Sequence, residues 1–293
     1  MLRAAAWMLG AVAAFSAMAV AGRLVGAELD TFEIMMYRSL FGFALLLAVA
    51  APAGTLGPLR RAGARHLTLH LVRNLFHFAG QNLWFLAITL IPLAQVFALE
   101  FTAPLWVLML SPLILGERLT RVRVLAALVG FAGILLVVRP GAGTLDFGTL
   151  AAAAAAICFA GSVMATKRLT RSASLTAILF WMTMLQSLMG LVCAGADGDI
   201  ALPSAATLPG LVVIALGGLG AHLCLTTALS IAPATLIAPV DFLRLPLIAA
   251  IGLVVFSEPV DAFVIFGAAL IFGANYVNLW VETRKPRSAR GSS

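Results

Sequence analysis

Ionisable side chains set inside membrane-length apolar runs constrain this chain more than any other feature of its sequence. Glu100 lies within the apolar stretch Leu93–Leu115, and Asp241 and Arg244 lie within Ala234–Phe256. Each stretch is close to the length of about 20 residues that crosses a bilayer as a helix. A charge at such depth costs roughly 2.5–3.5 kcal/mol even on the lenient insertion scale, so it normally faces a cavity or a partner. Two carboxylates and an arginine at membrane depth point to a polar pathway through it.

Composition excludes a soluble domain. The 293 residues are 62% hydrophobic and 11% charged, against about 25% charged in ordinary soluble domains. The net charge of +7 does not gather into one patch, so no nucleic-acid partner is implied. Basic residues fall instead in short clusters between apolar runs, as membrane proteins place them. Cys158, Cys193 and Cys224 have no metal-ligand spacing and no CxxC pair, and read as small buried hydrophobes. The first residues resemble a signal peptide, with Ala17-Met18-Ala19 as a cleavage site. The topology, however, needs them as its first helix.

Ten spans are expected, at about 4–22, 33–51, 69–90, 93–115, 124–139, 148–166, 175–194, 207–230, 234–256 and 262–281. Alternating the loops from a cytoplasmic start puts Arg3, Arg60, Arg61, Arg65, Arg118, Arg121, Arg123, Lys167, Arg168, Arg171, Arg284, Lys285, Arg287 and Arg290 inside. Only Arg23 and Arg139 fall outside, beside Glu28, Asp30, Asp146, Asp197, Asp199, Glu258 and Asp261. Fourteen against two follows the positive-inside rule and makes both termini cytoplasmic.

A shift of 141 places Pro92 on Pro233, Glu100 on Asp241 and Glu117 on Glu258. It also overlays IPLAQVFALE on SIAPATLIAPVD, and LILGERLT on VVFSEPVD. A five-span unit has an odd number of crossings, so its second copy enters from the opposite side. The expected fold is therefore all-α and integral to the membrane: ten transmembrane helices as two inverted five-helix repeats. The first repeat covers 1–147, the second 148–283, and a basic cytoplasmic tail 284–293. Glu100 and Asp241, each seven residues in from a span end, lie about 10 Å below opposite surfaces as symmetry mates.

The stretch Ala87 through Gly141 carries Pro104, then the turn Gly116-Glu117-Arg118, then Gly130 and Gly133. The second half repeats this more loosely, with Pro246, Ser257-Glu258-Pro259, Gly267 and Gly273. In these features the chain resembles the drug/metabolite transporter superfamily, specifically its EamA-type ten-helix members. The resemblance spans essentially the whole chain and implies transport of a small organic metabolite, such as an amino acid or a vitamin. An inner or plasma membrane location comes with it. Glu100 and Asp241 are not part of the family pattern, so their role rests on physics.

Arg244 reads as an anchor for an anionic cargo group, with Glu100 and Asp241 receiving a cationic group or a proton. Pro104, Pro239 and Pro246 would free the carbonyls of Glu100, Thr235 and Phe242, which membranes tolerate only near protein, polar groups or water. This is either a broken helix lining a cavity or a packing kink with Asp241 and Arg244 paired at i,i+3. Arg73, His77, Gly80, Gln81 and Trp84 form one stripe about 100° wide on span three, with Asn74 at its edge and Asn82 opposite. Arg73 is expected to snorkel to the surface, while Gln81 and Trp84 are deeper candidates for cargo contact.

Tyr37-Arg38 on span two could pair with Glu33, Glu28 or a cargo carboxylate, and an arginine here also resembles the family. His222 takes the repeat position of Gln81, and could titrate near neutral pH or serve as a helix-contact residue. Trp181, Gln186 and Asn275 are weaker candidates, and Glu117 reads as a cap or ion-pair residue. The expected partners are a small-molecule substrate and the lipid bilayer, with room for a homodimer. No cofactor is implied; two buried carboxylates permit proton coupling without requiring it. The rival reading is a membrane-embedded enzyme acting on a lipid-linked substrate. The chain has no HExxH, GxSxG, phosphate-cradling glycine loop or paired-aspartate motif, so no enzyme is expected. It also lacks a nucleotide domain for an ATP-driven pump. The leading expectation is a secondary transporter working by alternating access.

Overall fold

The computed structural model describes residues 2–50, 52, 54, 66–115, 120–139, 146–169, 172–196, 198–231, 240–259 and 261–284. The Gly116-Glu117-Arg118 turn with its expected cap at Glu117, the carbonyl of Thr235, Pro239, and the tail beyond 284 lie outside the described residues. Among the described residues all regular structure is helical. The helices are α1 (Leu2–Val25), α2 (Thr31–Ala50), α3 (Leu67–Leu90), α4 (Leu93–Glu100), α5 (Ala103–Leu115) and α6 (Arg121–Val138), then α7 (Phe147–Leu169), α8 (Leu175–Ala194), α9 (Leu208–Ile231), α10 (Arg244–Phe256) and α11 (Ala262–Arg284).

Eight spans among the described residues are long and apolar enough to cross a membrane, counting the run through α4 and α5 as one. The shorter α10 is apolar as well. At 24 residues α3 has the length, but His70, Arg73, Asn74, His77, Gln81 and Asn82 dilute its hydropathy, and all six are buried. Leu125, Leu128 and Phe131 on α6 and Val254 on α10 are exposed instead. That distribution suits acyl chains as the surrounding solvent.

Two side-chain caps fix helix starts. Thr120 accepts the amide of Arg123 at 3.3 Å before α6, and Ser174 accepts that of Ala177 at 3.2 Å before α8. Each satisfies an amide that the first helical turn leaves orphaned.

The chain divides into two compact units. The first holds Met1–Ala13, Pro92–Leu145 and His222–Ser293; the second holds Ala14–Ile91 and Asp146–Ala221. Each draws on both halves of the sequence. In the first, α6 packs along α11, and α10 packs on α4. In the second, α3 packs along α7, and α2 along α8. Shifting α3 by 141 lands on the bounds of α9, and shifting α5 lands on those of α10. The start of α6 lands likewise on that of α11.

Small residues let these helices touch. A Cβ on Gly133 would stand 2.7 Å from the Gly267 carbonyl, and one on Gly267 would stand 2.6 Å from the Gly133 carbonyl, so α6 and α11 meet backbone to backbone. In the second unit Gly190 on α8 faces the Met36 backbone in the same way. Without a hydrophobic driving force in lipid, such close approach supplies much of the helix attraction. Gly133→Val is expected to lower Tm through an overpacking cost of roughly 1–3 kcal/mol. Gly273→Ala, where a Cβ meets nothing within 4 Å, should stay within about 2 °C of wild type. Thermal unfolding in detergent checks both.

Candidate functional site

The fourth expected span is broken. α4 ends at Glu100, Phe101 and Thr102 form a turn, and α5 begins at Ala103. Pro104 explains the position, because it has no amide to donate and its ring crowds the carbonyl four residues back, that of Glu100. The chain tightens to compensate. Thr102 donates its amide at 3.0 Å and its hydroxyl at 2.6 Å to the Leu99 carbonyl. The Phe101 carbonyl accepts from Asn275 Nδ2 on α11 at 2.9 Å. A polar side chain thus satisfies backbone that the break exposes, as a membrane interior demands.

The ninth expected span has a matching interruption. Val240 and Asp241 are helical, Phe242 and Leu243 turn, and α10 starts at Arg244. Pro246 sits in the first turn of α10, where a missing amide is tolerated. The carbonyl of Phe242 accepts the Leu245 amide at 3.0 Å instead.

These two interruptions bring together the three charges that the sequence singles out. Arg244 Nη1 lies 3.1 Å from Glu100 Oε1, and Nε lies 3.6 Å from Asp241 Oδ1. The Arg244 side chain is 8% exposed, that of Glu100 18% and that of Asp241 29%, so Asp241 is the most open of the three. The guanidinium carbon also stands 5.2 Å from the Phe97 ring and 5.0 Å from the Phe101 ring, within cation–π range. Phe101 meets Phe242 at 5.5 Å; Phe242 stacks on Phe272 at 4.2 Å, and Phe272 on Tyr276 at 5.9 Å. Among the described residues, one guanidinium against two carboxylates gives a formal charge of −1 beside a ladder of rings. The i,i+3 pair therefore forms, and Glu100 joins it from another helix.

The second unit arranges its candidates differently. Trp84, Gln81 and His77 are all buried. His77 meets the Phe159 ring at 6.1 Å, and Trp84 meets Phe85 at 5.3 Å. A Cβ on Gly80 would stand 2.9 Å from Phe159, so this part of the stripe packs closely against α7. Gln81 Oε1 has no hydrogen-bond partner among the described residues. Asn82 donates Nδ2 to the Phe78 carbonyl at 2.8 Å. His222, half-buried on α9, belongs to the first unit.

Two expectations are corrected. Arg73 does not snorkel: it is buried, donating to Asn74 Oδ1 at 3.1 Å and to Thr166 Oγ1 at 3.3 Å. Arg38 is not paired with Glu33 or Glu28 either. Glu33 accepts the amides of Ala201 at 2.6 Å and Asp30 at 2.9 Å. Glu28 accepts the Ser204 amide at 2.6 Å, the Ser204 hydroxyl at 2.8 Å and the Thr207 hydroxyl. Tyr37 donates its hydroxyl to the Ala201 carbonyl at 2.8 Å. Backbone amides outbid the arginine because they are already fixed in place, and Tyr37 is a tether for the start of α2.

Glu258 holds a structural post as well. Its Oε2 accepts the Leu93 amide at 2.9 Å, which caps the first turn of α4 from a loop distant in sequence. Arg139 pairs with Asp261 and lies over the Phe263 ring at 4.9 Å, joining the end of α6 to the start of α11. The rings around Arg244 were absent from the sequence candidates. Their signal was the i,i+4 spacing of Phe97 with Phe101 and of Phe272 with Tyr276, which sets rings on one helix face.

The model of the EamA-like transporter family matches residues 2–139 and again residues 146–280. The chain belongs to that family. A riboflavin transporter of Brucella anthropi is 30% identical, over 96% of this chain and 100% of its own length. An S-adenosylmethionine uptake transporter of Rickettsia prowazekii is 26% identical over 98% and 95%. A pseudopaline exporter of Pseudomonas aeruginosa is 29% identical over 88% and 89%. A solved crystal structure aligns with a TM-score of 0.62 over 96% of this chain and 98% of its own at 22% identity, which shows the fold alone. This EamA-family protein is a multi-pass membrane protein and a secondary transporter of small metabolites, not an enzyme.

Arg244→Ala is expected to cost roughly 3–5 kcal/mol of stability, because it strands two carboxylates. Adding Glu100→Gln should return part of that loss, and a double-mutant cycle by thermal unfolding should give a coupling of about 0.5–3 kcal/mol. A pH effect is expected where Glu28 docks. The Thr207 hydroxyl, then the Ser204 amide and hydroxyl, hold its carboxyl below the usual 4.5. A lowered folded pKa gives a contribution present above the unfolded value and lost as pH falls through the folded one. Hydrogen exchange at Ser204 and Thr207, corrected for intrinsic rates, should rise below about pH 4.5.

Proposed function

We propose that this transporter carries a ring-bearing metabolite across the plasma membrane by alternating access, with both termini cytoplasmic. The cargo meets Arg244, Glu100 and Asp241. The observation that carries this reading is the juxtaposition of a buried arginine, two carboxylates and a ladder of stacked rings at paired helix interruptions. Interrupted helices near the middle of a span are where secondary transporters expose backbone and charge to their cargo. A cargo ring would stack on an exposed aromatic face at a spacing like that between Phe242 and Phe272. Riboflavin, an uncharged fused-ring vitamin, is the first cargo to test, and the Brucella anthropi relative supports it.

S-adenosylmethionine is the second. It carries a purine ring and a sulfonium, and the formal charge of −1 around Arg244 favours a cationic group. Glu100 and Asp241 are also the groups that would take a proton if transport is coupled to one. Gln81, Trp84, His77 and His222 are secondary cargo contacts in this reading. Its architecture is ten transmembrane helices in two inverted five-helix repeats, 1–147 and 148–283. The coincidence of helix bounds under a shift of 141 supports it, as do the two family matches along the chain.

Uptake of radiolabelled riboflavin and S-adenosylmethionine into proteoliposomes tests the proposal. Saturable uptake of one of them is expected, falling at least about tenfold in Glu100→Gln and Arg244→Ala, a loss of about 1.4 kcal/mol or more, with insertion unchanged. Full uptake in both variants would remove the cargo from this cluster. Absence of uptake for both compounds would discard the cargo class.

A further inference from the structure

The two units treat their buried arginines in opposite ways. Arg244 stands against two carboxylates. Arg38 and Arg73, only 7% and 6% exposed, meet no carboxylate among the described residues. The one hydrogen bond of the Arg38 guanidinium there goes to the thioether of Met35, at 3.6 Å, a weak acceptor. Arg73 has only the neutral oxygens of Asn74 and Thr166. A buried charge without a counter-charge is costly in any low-dielectric interior.

The Arg38 guanidinium opens onto a cavity. Ser39, Thr183, Gln186, Gly218 and Leu219 help to line it. Thr183 spends its hydroxyl proton on the carbonyls of Leu179 and Phe180, which leaves Arg38, Ser39 and Gln186 as the lining residues with side-chain protons to give. Gln186 in turn donates to Asn74 Oδ1 at 3.2 Å, the same oxygen that takes Arg73. The two arginines are thus linked through one amide relay. The free space is about 20 Å³, where a single water needs roughly 10–15 Å³. It admits a monatomic ion and excludes a metabolite. Gly218 keeps it open: a Cβ there would stand 2.9 Å from Arg38 Nη2 and 3.0 Å from Nε.

We infer that this cavity is a binding site for a small inorganic anion of halide size, held by Arg38, Ser39 and Gln186 in the field of Arg73. It is separate from the cargo cluster at Arg244 and does not rest on that assignment. The anion supplies a counter-charge that the described residues do not.

The test is thermal unfolding of the purified protein in sodium bromide, sodium chloride or sodium gluconate at equal ionic strength, with Arg38→Gln and Gly218→Ala beside wild type. Halide should raise the wild-type Tm by about 3 °C over gluconate at ten times the dissociation constant. In gluconate Arg38→Gln should match or exceed wild type, because it removes an uncompensated charge, and its halide shift should vanish. Gly218→Ala keeps the charge but displaces the flexible end of Arg38, so its shift should shrink to less than half. Bromide-soaked crystals should place an anomalous peak beside Arg38. A halide shift retained in Arg38→Gln would overturn the proposal, as would no halide shift in wild type.

Discussion

A membrane interior offers a polar group no solvent, so each break in a helix and each buried charge must find its partner within the protein. That constraint organises the structure around Glu100 and Arg244. Pro104 breaks one helix and a turn interrupts another. The groups released are then gathered: Asn275 takes a carbonyl, Glu100 takes the guanidinium, and the rings of Phe97 and Phe101 cover its faces. Breaking pairs of this kind is expensive, so the irregular backbone and the charges hold one another in place.

The second unit meets the same constraint by different means. Its polar stripe on α3 is buried against neighbouring helices, and its oxygens and amides form a relay through Asn74, Gln186, Arg73 and Thr166. Carboxylates are present at its margin but are committed to backbone amides near residues 201 and 204. The contrast is one of charge balance. Among the described residues, one unit is formally negative around its arginine and the other positive.

Much of this was legible from sequence because periodicity and spacing carry it. The spans expected at 207–230 and 262–281 fall within a few residues of α9 and α11. Pro104 and Pro246, close to Glu100 and Asp241, anticipate that both helices are interrupted nearby. What sequence withheld was competition between partners. Nothing local says that the amide of Ala201, some 168 residues away, takes Glu33 before Arg38 can. Nor does it say that Glu258 caps α4. Arg73 looked able to reach the surface because a long side chain usually can, yet a fixed amide beside it and a hydroxyl on α7 hold it back.

The polarity of α3 has a consequence for how the chain is made. Six buried polar residues lower its own tendency to leave water for lipid, and the side chains that satisfy Arg73 and Asn74 lie on α7 and α8. Gln186 emerges from the ribosome about 100 residues after α3 is complete, roughly 5–20 s later at about 5–20 residues per second. During that interval α3 needs help from the insertion machinery or from the helices already delivered. Translation order therefore sets the moment at which this helix meets its polar partners.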